Sequence, residues 1–143
     1  MKSISKELLL QLPKVELHCH LDGSLRVSSI LDQARIDNIK LPFKNYDDLT
    51  AYFKIGENRG SLEDYIRRFD ITLCVMQTPK ALSRFAYELI EDVSKENVRY
   101  IEVRYSPILH TKKGMALEEA LESVRKGLKR GEKDFGVKSG IIV

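Results

Sequence analysis

The sequence has few of the features that mark membrane, secreted or nucleic-acid-binding proteins. Its N-terminal apolar run at residues 8–10 is too short for a signal peptide, and no stretch approaches the roughly 20 apolar residues of a membrane span. The 24 Lys and Arg residues nearly balance the 21 Asp and Glu residues, which leaves a net charge of +3. Since the charges of both signs are interspersed, we expect neither nucleic acid nor a membrane as a partner.

Cysteine and repetition are also scarce. The two cysteines, Cys19 and Cys74, lie within apolar patterns and lack the spacing of a disulfide framework. They predict reduced thiols and a cytoplasmic location. The sequence has no low-complexity tract, no repeat beyond an alternation of strands and helices, and no sign of a second domain.

Residues 15–21 read as a β-strand with two unlike faces. The apolar face consists of Val15, Leu17, Cys19 and Leu21. If the pattern is continued by one residue, to position 22, the other face consists of Glu16, His18, His20 and Asp22. Burying ionisable groups without partners costs several kcal/mol each. The polar face must therefore meet solvent, its own members or a metal.

The two histidines of this strand stand at i and i+2, so their imidazoles project to one side about 6–7 Å apart. At that spacing, His18 and His20 can reach one ion at the usual Zn–N distance of about 2.0–2.1 Å. A His-x-His pair alone is a weak signal, because surface and hydrogen-bonded core histidines also show it. The neighbouring carboxylates favour a metal site, as does the Gly23-Ser24 exit, where Ser24 is predicted to cap the next helix.

The rest of the chain predicts an alternation of helices and strands. We predict helices over residues 4–11 (behind Ser3), 25–36, 47–53, 61–75 and 79–96, a further helix from Leu117 that ends near Gly131 to Gly136, and strands over residues 98–106 and 139–143. Ser61 with Asp64 resembles a capping box, and Thr78-Pro79 is a cap followed by proline. Residues 56–60 are a candidate lid hinge.

The helix over residues 61–75 has an apolar stripe with two possible roles. The stripe consists of Leu62, Tyr65, Ile66, Phe69 and Leu73. Such a stripe usually packs into a core, but it can also cover a ligand pocket. The sequence leaves both roles open.

The second strand repeats the pattern of the first. Its two faces are Ile101, Val103 and Tyr105 on one side and Tyr100, Glu102 and Arg104 on the other. Strands buried on both faces of a parallel sheet are usually continuous apolar runs. The pattern therefore indicates a barrel with polar groups inside, in which Glu102 and Arg104 bond to neighbouring strands. The alternative is that the second strand belongs to an antiparallel sheet with one face exposed to solvent.

Three blocks of the sequence match one known family. They are Leu-Pro-Lys-Val-Glu-Leu-His-Cys-His-Leu-Asp-Gly-Ser-Leu at residues 12–25, Ser-Leu-Glu-Asp-Tyr through Asp-Ile-Thr-Leu at residues 61–73, and Val-Arg-Tyr-Ile-Glu-Val-Arg-Tyr-Ser-Pro at residues 98–107. These blocks resemble the adenosine deaminase family of zinc-dependent amidohydrolases, in the family's order and over nearly the whole chain. The resemblance implies an α/β fold, the (β/α)₈ TIM barrel.

A TIM barrel typically takes about 250 residues or more. We therefore expect residues 1–143 to be a single partial domain, with about three βα units plus extra helices, that does not close as a barrel. Its open sheet edges predict self-association. The resemblance further implies that His18 and His20 are two zinc ligands, that His20 also lies close to the bound nucleoside, and that Asp22 contacts the ribose.

The resemblance assigns the catalytic groups to later strands: a third His, a His-Ala-Gly-Glu run with the proton-donating Glu, a further His and an Asp. The only other histidine here is His110, which we expect to be a solvated loop residue and not a ligand, and no His-Ala-Gly-Glu run exists. Catalytic zinc needs three or more protein ligands. We assign no catalytic residue to this chain and expect it to be inactive alone.

By resemblance, the longer parent protein converts adenosine and 2′-deoxyadenosine to the inosine forms plus ammonia, with a purine nucleoside as its partner and zinc as its cofactor. Two alternatives stay open. One is a deaminase of the same superfamily that acts on adenine or a modified nucleoside. The other is a helix-rich binding module without catalysis. The second zinc-deaminase pattern, His-x-Glu with Pro-Cys-x-x-Cys, is absent, which excludes that class.

Overall fold

The structure, a computed structural model, describes residues 4–54 and 61–143, apart from the side chain of Leu62. In these ranges the helices and strands follow one another in the predicted order, with four helices between the first two strands. The helices α1 to α6 are Lys6–Gln11, Val27–Ile36, Tyr46–Phe53, Leu62–Val75, Pro79–Lys95 and Leu117–Phe135; the strands β1 to β3 are Lys14–His20, Val98–Arg104 and Lys138–Ile142; two 3₁₀ turns are Leu21–Gly23 and Pro107–His110.

The three strands form a parallel sheet in the order β1-β2-β3. Glu16 on β1 pairs with Ile101 on β2, and Val103 on β2 pairs with Ile141 on β3. Because the strands are parallel, their carboxyl ends lie at the same edge of the sheet. The α/β class is confirmed, and the antiparallel alternative for the second strand is excluded. Among the described residues the sheet is open at both sides.

The two faces of β2 differ as predicted. Ile101 and Val103 are fully buried, while Glu102 and Arg104 on the other face are half-buried. The buried face belongs to an apolar cluster that also contains the inner faces of α5 and α6. Glu102, however, accepts a hydrogen bond at 3.2 Å from Tyr100 on its own strand. Its partner among the described residues is therefore a side chain two residues away on the same face, and a bond to a neighbouring strand stays a prediction.

Two glycines let α5 and α6 approach each other closely. A methyl group at Gly127 would overlap the backbone oxygen of Ser83 and lie 2.8 Å from the Cβ of Ala86. One at Gly131 would lie 2.6 Å from the Cβ of Ile90. Gly131 lies near the end of α6, as the sequence predicted, and is also part of the helix contact.

Local caps begin most of the helices. The capping box is confirmed, because Ser61 and Asp64 exchange side-chain and backbone hydrogen bonds at the start of α4. Thr78 accepts from the backbone N–H of Ala81, as predicted. Ser5 caps α1, while Ser3, behind which the sequence placed this helix, lies outside the described residues. The expectation that Ser24 caps α2 was wrong, because Arg26 is at the N-cap position.

Ser24 instead ends the first 3₁₀ turn. Its hydroxyl donates to the backbone oxygen of His20 at 2.6 Å and lies 3.3 Å from the sulfur of Cys19. The extra turn moves the start of α2 to Val27, with Arg26 at the N-cap position. The chain thus forms a 3₁₀ turn between β1 and α2 that the sequence did not predict.

The apolar face of β1 is largely uncovered. Val15 is 62% exposed and Leu17 is 57% exposed. In the predicted barrel this face packs on helices; here Leu21 lies in the core and Cys19 packs against it, while Val15 and Leu17 stay exposed. In the same ranges, no helix combines the length and apolar character required to cross a bilayer.

Candidate functional site

The polar residues predicted from the sequence meet at the carboxyl end of the sheet. β1 ends at His20 and continues into the first 3₁₀ turn, while β2 ends at Arg104, which pairs with His20. The second 3₁₀ turn follows β2 by two residues. Loops at this edge of a parallel α/β sheet usually carry the binding groups.

His18 and His20 converge on the same side of β1. Their Nε2 atoms lie 3.1 Å apart, and their ring centroids lie 5.1 Å apart with the planes tilted by 32°. Two nitrogens at this separation, each about 2.0–2.1 Å from one zinc ion, would subtend roughly 100° at the metal, close to the tetrahedral angle. The two imidazole nitrogens therefore fit two adjacent coordination positions of a single zinc ion.

The described residues do not complete a metal site. No group of three or more His, Cys, Asp or Glu side chains with ligand geometry occurs in residues 4–54 and 61–143. Glu16, although it belongs to the same face, uses its carboxylate to accept the backbone N–H of His18 at 2.9 Å.

Asp22 lies in the 3₁₀ turn directly after β1. Its side chain is only 11% exposed, and its Oδ1 atom lies 3.8 Å from Nδ1 of His20. The described residues donate no hydrogen bond to this buried oxygen. A buried carboxylate oxygen without a donor is costly, so it is a natural acceptor for a ligand hydroxyl.

Asp22 also lines a cavity of about 200 Å³. The other lining residues come from the turn, the segment after it, α2, α3 and α4: Gly23, Leu25, Val27, Ile30, Phe53, Tyr65, Arg68, Phe69 and Thr72. Most of them are apolar or aromatic. A mostly apolar concave site with a few polar groups is typical of small-molecule binding.

The apolar stripe of α4 divides between the two roles that the sequence left open. Tyr65 and Phe69 line the cavity with their rings 5.6 Å apart, whereas Leu73 is buried in the core and Ile66 is 56% exposed. The side chain of Leu62 and the predicted hinge at residues 56–60 lie outside the described residues.

His110 is not the solvated loop residue that the sequence predicted. It is fully buried, and its Nδ1 atom donates to the backbone oxygen of Met76 at 3.1 Å. Burial lowers the pKa of the imidazole, against a smaller upward effect of the Met76 hydrogen bond and the Asp22 charge. The expectation failed because the second 3₁₀ turn folds inward over the end of α4.

The amide of Gln77 fixes this turn. Its Nε2 donates to the backbone oxygens of Leu73 at 2.7 Å and Leu109 at 2.9 Å, and its Oε1 accepts the backbone N–H of Lys112 at 3.0 Å. A single buried side chain thereby joins α4 to the segment after β2. These bonds hold the turn that carries His110 against the end of α4.

Sequence reasoning missed Arg68 and Tyr105 as members of this region. Arg68 lines the cavity, and its Nη1 is buried with no hydrogen-bond partner among the described residues. It stands three residues after Tyr65, a helical spacing that places both on one face. The sequence pattern placed Tyr105 on the core face of the second strand, and nothing in that pattern indicated a role for its hydroxyl.

The open parallel sheet, with paired histidines at the end of its first strand, defines the class as a TIM-barrel amidohydrolase. A solved adenine deaminase from Arthrobacter aurescens matches 89% of this chain with a TM-score of 0.79 at 27% identity, over 38% of its own length. A Burkholderia ambifaria amidohydrolase with bound Zn matches 99% of this chain with a TM-score of 0.80 at 26% identity, again over 38% of its length.

The family model named Adenosine deaminase matches residues 13–143. The chain belongs to the adenosine deaminase family. An adenosine deaminase from Clostridium botulinum strain 657 is 51% identical over 133 residues, which are 93% of this chain and 40% of that relative. The chain thus spans about two-fifths of the length of the curated relative.

Proposed function

We propose that residues 1–143 form a single partial domain, the N-terminal part of an adenosine deaminase barrel. The longer parent protein would convert adenosine or 2′-deoxyadenosine and water to inosine or 2′-deoxyinosine and ammonia. The observation that carries this proposal is the convergence of the His18 and His20 Nε2 atoms, 3.1 Å apart, beside a cavity lined by Asp22. Family membership supports it.

His18 and His20 would hold a zinc ion through their Nε2 atoms, with further ligands from later in the parent chain. When bound, zinc supplies Lewis-acid activation of water. His20 would also lie beside the bound nucleoside, because its Nδ1 faces Asp22 at 3.8 Å. We assign no catalytic acid or base to this chain and propose that it has no deaminase activity alone.

Asp22 would accept a hydrogen bond from a hydroxyl of the ribose. Its buried Oδ1 lacks a donor in the described residues, and it borders an apolar and aromatic cavity suited to a purine. Free adenine has no hydroxyl to offer. This supports a nucleoside over the free base, although a solved neighbour of this fold acts on adenine.

A chimera tests the proposal. Residues 13–143 would replace the matching segment of the Clostridium botulinum relative, and ammonia release would be measured with adenosine, 2′-deoxyadenosine and adenine. We expect turnover of both nucleosides and loss of at least about a hundredfold in His18→Ala and His20→Ala, since each removes a metal ligand. The exposed Lys126→Ala variant is the control and should keep full activity.

Preference for adenine over both nucleosides would favour the adenine deaminase alternative. A chimera that folds and binds zinc but deaminates none of the three would contradict the proposal. Zinc calorimetry on the 143-residue chain addresses the binding-module alternative. Binding that is unchanged in His18→Ala and His20→Ala would remove the role of the histidine pair and favour that alternative.

A further inference from the structure

The cavity beside Asp22 is bordered by two side chains of opposite charge. Of the described residues that line it, Asp22 in the first 3₁₀ turn and Arg68 on α4 are the two with charged side chains. Asp22 Oδ1 lies 3.8 Å from Nδ1 of His20, and within the described part of the chain Asp22 forms no ion pair with Arg68. A carboxylate and a guanidinium therefore border one cavity of about 200 Å³ without pairing directly.

The guanidinium of Arg68 also contacts the neighbouring helix. Its central carbon lies 5.7 Å from the ring centroid of Tyr52 on α3, which is within the range of a cation–π contact. The residue is half-buried. Arg68 is thus part of the cavity wall and is not an ordinary surface cation.

The preceding residue shows what a surface arginine on this helix does. The Arg67 side chain is 64% exposed and pairs with Glu63, one turn earlier, at 2.7 Å. It does not line the cavity. Two adjacent arginines on α4 therefore differ in their surroundings, and Arg67 is a matched control for Arg68.

The polar groups of the cavity differ in what they can offer a ligand. The hydroxyl of Thr72, another lining residue, donates to the backbone oxygen of Phe69 at 3.0 Å and so serves its own helix. The ionised Asp22 carboxylate only accepts hydrogen bonds, and the guanidinium of Arg68 only donates them. The two charged groups thus form an acceptor and a donor on one cavity.

A hydroxyl group matches this pair better than an anion does. A hydroxyl donates once and accepts as well, so neighbouring sugar hydroxyls can donate to Asp22 and accept from Arg68. An anionic group would gain the attraction of Arg68 but would also meet the like charge of Asp22 on the same cavity. The pair therefore favours a neutral ligand with hydroxyl groups.

We propose that Arg68 is a second sugar-binding residue, whose guanidinium donates to a ribose hydroxyl while the Asp22 carboxylate accepts a hydrogen bond from the ribose. This inference rests on the proposed function, because it requires a nucleoside in the cavity. The apolar walls give contact area, whereas the few polar groups of such a site fix the orientation of its ligand. Arg68 and Asp22 together would set the position of the sugar.

The test uses the chimera with the Clostridium botulinum relative and four substrates: adenosine and its 2′-deoxy, 3′-deoxy and 5′-deoxy forms. Arg68→Met removes the donors and keeps an unbranched side chain. It should lower kcat/KM for adenosine about tenfold or more, mainly through KM, because a hydrogen bond from a charged group is lost. The loss should disappear for the deoxy form that lacks the hydroxyl bound by Arg68. Arg68→Lys, which still donates, should retain part of the activity.

Arg67→Met should leave all four kcat/KM values unchanged. Zinc affinity, measured by calorimetry, should be the same in Arg68→Met as in the unsubstituted chimera, which shows that the strand with the histidine pair is folded. With zinc affinity unchanged, an equal loss for all four nucleosides would overturn the proposal, because no single hydroxyl would then be read. A larger loss for adenosine 5′-monophosphate than for adenosine would also overturn it, since Arg68 would then bind an anionic group.

Failure of the proposed function gives a different result. A chimera that deaminates none of the nucleosides contradicts that function, and adenosine binding measured by calorimetry then decides the role of Arg68. Binding that weakens about tenfold in Arg68→Met and stays unchanged in Arg67→Met supports a sugar contact. Absence of adenosine binding, or binding equally strong in both variants, would overturn it.

Discussion

Arg26 and Asp92 form a bidentate ion pair that fastens the start of α2 to α5. Nε of Arg26 donates to Oδ2 of Asp92 at 2.7 Å, and Nη2 donates to Oδ1 at 2.6 Å. Nη2 also donates to Glu91 at 2.7 Å. Since Arg26 follows the 3₁₀ turn that carries Asp22, this fork helps to hold the turn against the sheet.

Replacement of Arg26 by Gln should destabilise the chain by about 1 kcal/mol, because the bidentate pair is lost while the carboxylates stay near water. Urea unfolding followed by circular dichroism measures the change. Arg125→Gln is the matched control: its pair with Glu122 lies on one exposed helix face, so its effect should be smaller. If the two variants lose the same free energy of unfolding, the bidentate pair of Arg26 stabilises the chain no more than an exposed pair on one helix.

The same cluster predicts the acid sensitivity of the fold. Burial acts to raise the pKa of Asp92, but the hydrogen bonds from Arg26 and Lys95 outweigh it and hold the folded pKa below its ordinary value of 3.8. Arg26 and Lys95 likewise lower the pKa of Glu91 from 4.5. A lowered folded pKa contributes stability above the unfolded pKa, and this is lost as pH falls through the folded pKa.

We therefore expect the free energy of unfolding to decline from about pH 5 downward. In Arg26→Gln the decline should be shallower, so the two proteins approach each other at low pH. Urea midpoints at a series of pH values measure this. A difference that stays constant with pH would contradict the linkage to Asp92.

Gly127→Ala should destabilise the chain, although alanine normally favours a helix over glycine. The added methyl group meets the backbone oxygen of Ser83, which cannot move aside as a side chain would. Overpacking of this kind costs about 1–3 kcal/mol. Thermal unfolding should show a lower Tm, while the neighbouring exposed Lys126→Ala should change it little. A stabilised Gly127→Ala protein would mean that α5 and α6 separate freely.

Phe69→Ala should weaken the binding of adenosine in the chimera about threefold to tenfold, because an aromatic wall of the cavity is lost. Ile66→Ala is the matched control on the same helix, since Ile66 is 56% exposed and lies outside the cavity lining. KM for adenosine measures both. An equal rise in the two variants would indicate a general effect on α4, not a contact with the ligand.

The chain should self-associate through the open side of β1. Leu17→Lys places a charge on this exposed apolar face and should shift the protein toward monomer, as judged by sedimentation velocity. Ile36→Lys, at an exposed apolar residue that ends α2, should not have this effect. A monomer at all concentrations, with all three strands protected from hydrogen exchange, would refute the prediction.

Local patterns predicted much of the structure. The two-residue period of residues 15–21 predicted that His18 and His20 share a side, and their Nε2 atoms lie 3.1 Å apart. The capping box at Ser61 followed from residue type and spacing alone. The helix cap expected at Ser24 was wrong, because the start of a helix depends on where the preceding turn ends, and local preference fixes that position only to within a residue or two.

The sequence by itself determined the α/β class, the order of the elements and the strand face on which His18 and His20 lie, because strand and helix periods follow from backbone geometry. Only the tertiary structure decided that His110 is buried beside Tyr105, and that Gly127 meets Ser83. Those contacts join segments far apart in the chain. Their formation depends on how helices pack over the sheet, and residue spacing does not encode that packing.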